Sequence, residues 1–459
     1  MLKTSPKEIC KYFLWVTALV LLYLQISSTR FLQDDYMVLG YLSNHSWISW
    51  VSEVWQSQGG NLWPYAIHAF LLTSSASAIN TTVIASWTLF VIAAVTLSNY
   101  CILKWVLAVD LNLIGKFKVL TIFSISYLGF EGLFTPGLIA AYSYHLASFS
   151  HLWPITILIF SFYLISKGNK NVGLAVMLGL LIGNSNIAES FAALVTLFSI
   201  FFLRNKNIYV VTEFFRDGRR FFYSLLSGLI IGFTAILLSP GFWNRAENSV
   251  GLPSSVEEFV RRFIKSFSSF LADLLTHPMV WLAFLIGVLM SAPKKTGNEK
   301  NVVINKIKFM LFFGCILFAS LTIGSTFAYV SWHQSTGLYQ VFIPLTFILG
   351  FYSKSIFSFD FSGVNKVFLL TFIIISLTAI SLRAGILLDK RASDWDNAFK
   401  VNYCLIKKDT KAKLVGADML YPGFNLGIED ISKWEWMRNG YITWVSNPNF
   451  KTDIKCLSN

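Results

Sequence analysis

Long apolar runs constrain the fold of this chain more than any other feature. A transmembrane helix needs about 20 mainly apolar residues. Eleven segments meet this pattern or come close to it: 12–28, 82–103, 118–136, 151–166, 171–185, 189–203, 222–239, 278–292, 308–326, 336–353 and 367–388. The composition agrees, because 55% of the residues are hydrophobic and only 13% are charged, against about 25% charged in a soluble domain. We therefore expect an all-α polytopic membrane protein and exclude soluble, disordered and fibrous classes.

The basic residues predict the orientation, since Lys and Arg mark cytoplasmic loops. With the N-terminus inside, the inner loops hold 20 of the 37 basic residues and 6 acids, whereas the outer loops before the tail hold 5 basic residues and 9 acids. This pattern requires that the further apolar segment 61–79 does not cross, so we expect an interfacial or re-entrant helix there. The net charge of +13 is then a topology signal and does not indicate nucleic-acid binding.

Two regions are expected along the chain. Residues 1–388 would form the membrane domain, with outer interfacial helices at about 34–79 and 254–275, and residues 389–459 would form a small region outside the membrane. The second interfacial helix is predicted from apolar residues at helical spacing behind a serine cap. Cys404 and Cys456 both fall in the outer region, where an oxidising compartment would allow a disulfide, although the sequence leaves the pairing open.

Two adjacent carboxylates, Asp34 and Asp35, follow the first apolar run. Desolvation and mutual repulsion both oppose their ionisation at a membrane interface. They are therefore our candidates for catalysis, one as a base and the other as a ligand of a metal or a substrate hydroxyl. The simpler interpretation is that the pair only solvates the helix exit. Tyr36, the next residue, is added as a substrate-binding candidate.

A polar turn at 184–190 separates two short apolar runs. Its Glu189 could bind a cation, a sugar hydroxyl or a basic partner. The alternative is a helix start, with Asn186 or Ser185 as the cap and Glu189 in the first turn. Glu189 and Asn186 are candidates for substrate or donor binding.

Arg245 is one of the few basic residues in the predicted outer loops. A guanidinium can bind a phosphate or pyrophosphate through two parallel hydrogen bonds. Arg245 is therefore a candidate for the donor phosphate, and an ion pair with Glu247 or with anionic lipid is the alternative.

Aromatic and hydrogen-bonding side chains mix in the loops 137–151 and 327–340. Such surfaces suit sugar rings, although an interfacial aromatic belt also places Trp and Tyr at this depth. A belt explains His145 and His333 less well, so both are candidates for substrate binding.

These features together resemble the GT-C superfamily, multi-pass glycosyltransferases that use polyprenyl-phosphate sugars. The shared pattern is a long first span, an acid pair in the first outer loop, interfacial helices, about eleven spans and a small outer tail. Within the superfamily the chain is similar to bacterial O-antigen-modifying glucosyltransferases and a related group of multi-pass proteins. The residues that carry this closer resemblance are Asp34-Asp35-Tyr36, the Ser-Pro-Gly-x-x-x-Arg run at 239–245, Trp395, Trp434, Trp436 and Tyr441.

The resemblance implies an inverting hexosyltransferase of the bacterial cytoplasmic (inner) membrane, with its N-terminus cytoplasmic and its C-terminus extracytoplasmic. It would move a sugar such as glucose from a polyprenyl-phosphate donor to a cell-surface glycan such as the O-antigen of lipopolysaccharide. Asp34 or Asp35 would be the catalytic base or a metal-linked acid, and Arg245 would contact the donor phosphate. No second DxD-type motif is evident in the outer loops, so a divalent cation (Mg²⁺ or Mn²⁺) stays an open question. The implied partners are the donor, the glycan acceptor and membrane lipids, without nucleic acid.

Two other classes compete with this interpretation. A transporter or flippase for a lipid-linked or polar substrate would usually show internal repeats and intramembrane charges, and neither is visible in the sequence. A surface polysaccharide polymerase or ligase commonly depends on outer arginines, and the predicted outer loops hold few.

The predicted topology can be tested with reporter fusions after residues 75, 210 and 395. We expect extracytoplasmic signals at 75 and 395 and a cytoplasmic signal at 210. A cytoplasmic signal at 395 would overturn the arrangement of eleven spans.

Overall fold

The computed structural model describes residues 5–28, 30–31, 34–106, 146, 148–205, 217–248, 253–291, 297–327, 336–356, 365–415 and 435–456. These residues are mainly helical, and an isolated β-bridge joins Ala78 to Lys451. The all-α class is therefore confirmed. The predicted span 118–136 and the candidates His145 and His333 lie outside the described residues.

The described helices are numbered α1 to α17 along the chain. In chain order they are α1 Pro6–Ser28, α2 Asp34–Leu42, α3 Trp47–Glu53, α4 Leu62–Leu72, α5 Thr81–Val106, α6 Trp153–Ser166, α7 Val172–Gly183, α8 Ile187–Asn205, α9 Arg219–Leu238, α10 Pro240–Asn248, α11 Val256–Thr276, α12 Pro278–Leu289, α13 Gly297–Phe327, α14 Thr336–Phe351, α15 Ser353–Ile356, α16 Lys366–Lys408 and α17 Glu435–Ser446. A π-helical turn, Val54–Gln58, continues α3, and a second one, Ser148–Leu152, precedes α6.

Five described helical segments are long and apolar enough to cross a membrane. They are Thr81–Val106, Phe149–Ser166, Arg219–Leu238, Gly297–Thr326 and Lys366–Arg383. The pair α11 and α12, bent by 42°, would make a sixth if it formed one broken span. A membrane-embedded chain is thus supported, whereas the count of eleven and the orientation stay predictions. Helix α4, with 11 residues, is about 16 Å long and is too short to cross a hydrocarbon core of about 30 Å.

The connections gather at two ends of the helix bundle. At one end, which we call the basic end, Lys306 Nζ donates a hydrogen bond to the carbonyl oxygen of Trp105 at 2.9 Å, and Gly168 packs against Asp217. At the other end, which we call the tail end, residues from the C-terminal region pack on α2 and α4.

Glycines bring α7 and α9 into close contact. Gly179 and Gly183 on α7 face Gly228 and Gly232 on α9, and a Cβ added to Gly179 would collide with the carbonyl oxygen of Leu225. Each helix therefore carries a small-xxx-small pair at the crossing, the arrangement that lets membrane helices approach closely.

Helix α11 has a capped start, a side that packs on the bundle and an exposed apolar stripe, as expected of an interfacial helix. Ser255 caps its start by accepting a hydrogen bond from the Glu258 amide at 3.1 Å, as the sequence predicts. Phe270 is buried and contacts Phe318 of α13. An apolar stripe remains exposed, consisting of Val256, Val260, Ile264, Phe267, Leu271 and Leu275. The helix is confirmed, while its depth in the membrane stays a prediction.

The C-terminal region shares a hydrophobic core with the segment after α1. Trp444 on α17 and Trp395 on α16 are buried with Trp87 and Tyr36. Helices α2 and α17 cross at Gly40 and Gly440, where a Cβ on Gly440 would lie 2.6 Å from the carbonyl oxygen of Tyr36. The tail is therefore part of one packed unit with α2.

One disulfide and one ion pair stabilise the tail. Cys404 and Cys456 form a disulfide, which resolves the pairing that the sequence left open. Arg30 binds both carboxylate oxygens of Asp396, at 2.9 and 3.0 Å. Helix α16 runs without a break from Lys366 to Lys408, so the predicted boundary at 388/389 falls inside a continuous helix.

Substituting Gly183 with Leu should destabilise the bundle, because a Cβ at this position would already collide with the backbone of α9. Overpacking of this kind typically costs about 1–3 kcal/mol, which should lower the thermal midpoint in detergent by several degrees. Gly173→Leu is the matched control, since a Cβ at Gly173 meets only the Asn171 side chain at 3.6 Å. Equal midpoints for the two variants would contradict the close crossing.

Candidate functional site

One short stretch of chain contacts α2, the turn before α8, and α10. This stretch, residues 54–72, comprises the π-helical turn, a loop and α4, and we call it the α4 segment.

Asp35 is paired with a histidine that the sequence did not single out. Its Oδ1 lies 2.7 Å from Nε2 of His68 on α4, and both side chains are fully buried. A carboxylate only accepts hydrogen bonds, so the imidazole donates through Nε2. Nδ1 of His68 has no partner among the described residues, and the ring lies 5.7 Å from that of Trp87. Burial of this degree indicates that Asp35 positions α2 on α4.

Tyr36 also serves the packing of the tail end. Its hydroxyl donates to the carbonyl oxygen of Phe31 at 3.1 Å and accepts from Nε1 of Trp395 at 2.8 Å. Burial raises the pKa of Tyr36 well above its usual range, so the phenol keeps its proton. The hydroxyl is enclosed and engaged on both sides, which gives Tyr36 a structural role, while its substrate-binding role stays a prediction.

The turn at 184–190 is attached to the α4 segment by an amide. Asn184 Oδ1 accepts from the Leu62 amide at 2.8 Å, while its Nδ2 donates to the carbonyl oxygen of Gly60 at 3.0 Å. Trp63 Nε1 adds a hydrogen bond to the carbonyl oxygen of Leu181 at 2.6 Å. Asn184 thus satisfies two backbone groups at the start of α4, one of them an amide that the helix itself leaves without a partner.

Glu189 forms a second buried carboxylate–imidazole pair. Its Oε1 lies 2.6 Å from Nδ1 of His151, and the two residues are 1% and 7% exposed. Oε2 of Glu189 has no partner among the described residues. A buried carboxylate oxygen without a hydrogen bond is costly unless a ligand or water uses it. This atom is therefore the clearest unfilled acceptor of the site.

Asn186 acts at the start of α8, and its role in substrate or donor binding stays a prediction. Its Oδ1 accepts from the Ala188 amide at 3.0 Å. The capping alternative for Asn186 is thus the one the structure describes, and Glu189 follows in the first turn of the helix.

Arg245 reaches the other end of the α4 segment. Helix α10 packs closely on the π-helical turn, because Gly241 leaves no room for a Cβ against the amides of Gln58 and Gly59. From there Arg245 Nη1 donates to the carbonyl oxygen of Gln58 at 3.3 Å, and Asn244 Nδ2 donates to that of Gln56 at 3.0 Å. The Arg245 side chain is exposed, so its guanidinium is accessible to an anion beside the loop.

The α4 segment therefore contacts Asp35 through His68, the turn before Glu189 through Asn184, and Arg245 through the Gln58 carbonyl oxygen. Asp34 is the first residue of α2. Within the described ranges, no group of three or more His, Cys, Asp or Glu side chains is suited to hold a metal ion. His68 and His151 were missed as site residues because their acids lie 33 and 38 positions away, and no local spacing links them.

Comparisons with known proteins assign this chain to no family. No family model matches the chain, and no curated protein or solved structure matches it either.

Removing the partner of Asp35 should destabilise the protein. His68→Leu leaves a buried carboxylate without its imidazole, which typically costs about 3–5 kcal/mol, so the thermal midpoint should fall sharply. The double variant Asp35→Asn with His68→Leu should recover part of the loss, because the buried charge is gone. A single variant as stable as the wild type would contradict the pairing.

Proposed function

We propose that the chain is a GT-C type glycosyltransferase. It transfers a hexose, with glucose as the first to test, from a polyprenyl-phosphate donor to a cell-surface glycan such as O-antigen. The reaction takes place on the extracytoplasmic face of a bacterial inner membrane.

The observation that carries this proposal is the convergence on the α4 segment. The acid-bearing helix α2, the turn that leads to Glu189, and Arg245 come from three distant parts of the sequence, yet each is hydrogen-bonded to this segment, through His68, Asn184 and the Gln58 carbonyl oxygen respectively. Acids, an unfilled buried acceptor and an exposed guanidinium are the groups that transfer from a sugar phosphate requires.

In the proposed reaction the acceptor hydroxyl attacks the anomeric carbon of the donor sugar. Asp34 takes the proton of that hydroxyl as the new glycosidic bond forms. The bond from the anomeric carbon to the phosphate oxygen breaks at the same time, and its electron pair stays on the released polyprenyl phosphate. Direct displacement inverts the anomeric centre. We assign the base to Asp34 because Asp35 is enclosed with His68.

Arg245 is assigned to the phosphate. Charge develops on the phosphate oxygens as the bond to the sugar breaks, and a guanidinium can stabilise it through two hydrogen bonds. Its contact with the Gln58 carbonyl oxygen keeps the group beside the loop that enters α4.

Glu189 is assigned to sugar recognition. Its free Oε2 can accept a hydrogen bond from one sugar hydroxyl, while His151 holds the other oxygen. A site built to bind a hydroxyl strongly rejects an analogue that lacks it, because the buried acceptor is then left unpaired.

The proposal predicts different outcomes for the two adjacent acids. Asp34→Asn should accumulate normally and lose transfer by 100-fold or more, the size expected for a missing general base, about 10²–10⁴-fold. Asp35→Asn should lower the thermal midpoint and the amount of protein, with activity per folded molecule much less affected. Glu53→Gln, an exposed acid on α3, is the control. Normal glycan modification by Asp34→Asn would refute the assignment.

A further inference from the structure

Lysines are concentrated in the part of the tail that the disulfide joins. Residues 400–415 contain five lysines and one acid, and residues 451–456 add two lysines and one acid. The side chains of all these lysines are exposed, and among the described residues none of them forms an ion pair. We call six of them the lysine face: Lys400, Lys407, Lys408, Lys411, Lys413 and Lys455.

The end of α16 and the disulfide place lysines from two segments side by side. Lys400, Cys404 and Lys407 follow one another at i, i+4 and i+7, which is one face of an α-helix. Lys400 and Lys407 are therefore about 10 Å apart along the helix axis. The Cα atoms of Cys404 and Cys456 are 5.4 Å apart, so the disulfide brings the backbone of Lys455 beside the same face.

The segment 409–415, which follows α16, has a fixed position. Arg438 on α17 donates hydrogen bonds to two carbonyl oxygens of this segment, at 3.1 and 3.2 Å. The Asn402 side chain on α16 binds an amide and a carbonyl oxygen of the same segment, at 2.7 and 2.9 Å. Lys411 and Lys413 therefore extend from a backbone that is held against both helices.

Helix capping explains only part of this cluster. Lys407 and Lys408 lie in the last turn of α16, where a positive charge offsets the helix dipole. Lys400 lies two turns earlier and Lys455 comes from another segment, so the dipole does not account for them. Like charges on one surface repel one another, and a bound anion would relieve that repulsion.

The lysine face lies far along α16 from the part of this helix that could cross a membrane. The apolar window of α16 ends at Arg383, and Lys407 follows 24 residues later in the same unbroken helix. This separation is about 36 Å along the helix axis, several times the Debye length of about 8 Å at physiological ionic strength. The geometry therefore favours a partner outside the membrane over lipid headgroups.

We propose that the lysine face binds an anionic polysaccharide, one that carries phosphate or carboxylate groups along its chain. The argument is charge complementarity, because ammonium groups spread over one surface match the repeated anionic groups of a polymer. Lysine binds such groups as a point charge. Binding itself does not depend on the proposed glycosyltransferase activity. The identification of this polymer as the glycan acceptor rests on that proposed function.

The experiment uses the purified full-length chain in an uncharged detergent. Fluorescence anisotropy measures the binding of labelled dextran phosphate, carboxymethyl dextran and unmodified dextran of equal length. We expect binding of a charged polymer, weakened by added salt because exposed charges are screened, and no binding of unmodified dextran. Tighter binding of dextran phosphate or of carboxymethyl dextran identifies which anionic group the face prefers.

The variant Lys400→Gln with Lys407→Gln and Lys455→Gln should bind the preferred polymer about tenfold more weakly, as expected for the loss of three exposed ion pairs of modest strength. Its thermal midpoint should not change, since the three side chains are exposed. A second variant, Lys408→Gln with Lys411→Gln and Lys413→Gln, should show a similar loss. The matched control, Lys170→Gln with Arg219→Gln and Arg220→Gln, removes the same charge from exposed residues at the basic end and should bind as the wild type does.

Two results would overturn the proposal: equal binding of charged and unmodified dextran by the wild type, or equal weakening in the control and in the lysine-face variants. The second result would show an effect of net charge alone. Asp34→Asn should lose sugar transfer and still bind the charged polymer. Failure of the lysine face is therefore distinguishable from failure of the proposed function.

Discussion

The hydrogen bonds of Asn184 are the contacts on which the arrangement of the tail end depends. The start of α4 presents backbone groups that α4 itself cannot satisfy, and a single side-chain amide from the turn before α8 meets two of them, at Gly60 and Leu62. His68 of the α4 segment contacts Asp35, and the Gln58 carbonyl oxygen of the same segment contacts Arg245. The position of this segment therefore determines the positions of α2 and of the guanidinium. Partly buried polar contacts of this kind are specific, since breaking one leaves its partner without a hydrogen bond.

The C-terminal region packs on α2. Its two helices pack on α2 through the close approach of Gly40 and Gly440 and through a core that includes Trp395 and Trp444. Tyr36, the residue next to Asp35, belongs to that core, and its hydroxyl accepts a hydrogen bond from Trp395. The tail therefore completes the packing beside Asp35, which explains why a segment of its size does not need a separate core.

Much of the fold could be predicted from the sequence, and less of the site. Apolar runs and a capped amphipathic pattern predicted helices such as α5, α9 and α11, because local periodicity reports helical burial. The burial of Asp35 and the role of Tyr36 could not be predicted, since both depend on side chains that the fold brings from α4 and α16. The disulfide was left open for the same reason, as Cys404 and Cys456 are 52 residues apart. The capping role of Asn186 could be predicted, because a helix cap depends only on neighbouring residues.

We propose that Asp34, the buried acceptor of Glu189 and the guanidinium of Arg245 transfer a sugar to a surface glycan. The most direct measurement is the mass-spectrometric glycan profile of cells with and without this chain. We predict that one hexose substituent is present with the chain and absent without it, while the underlying glycan is unchanged in length. Identical profiles, or loss of whole repeat units in place of a single substituent, would contradict the account.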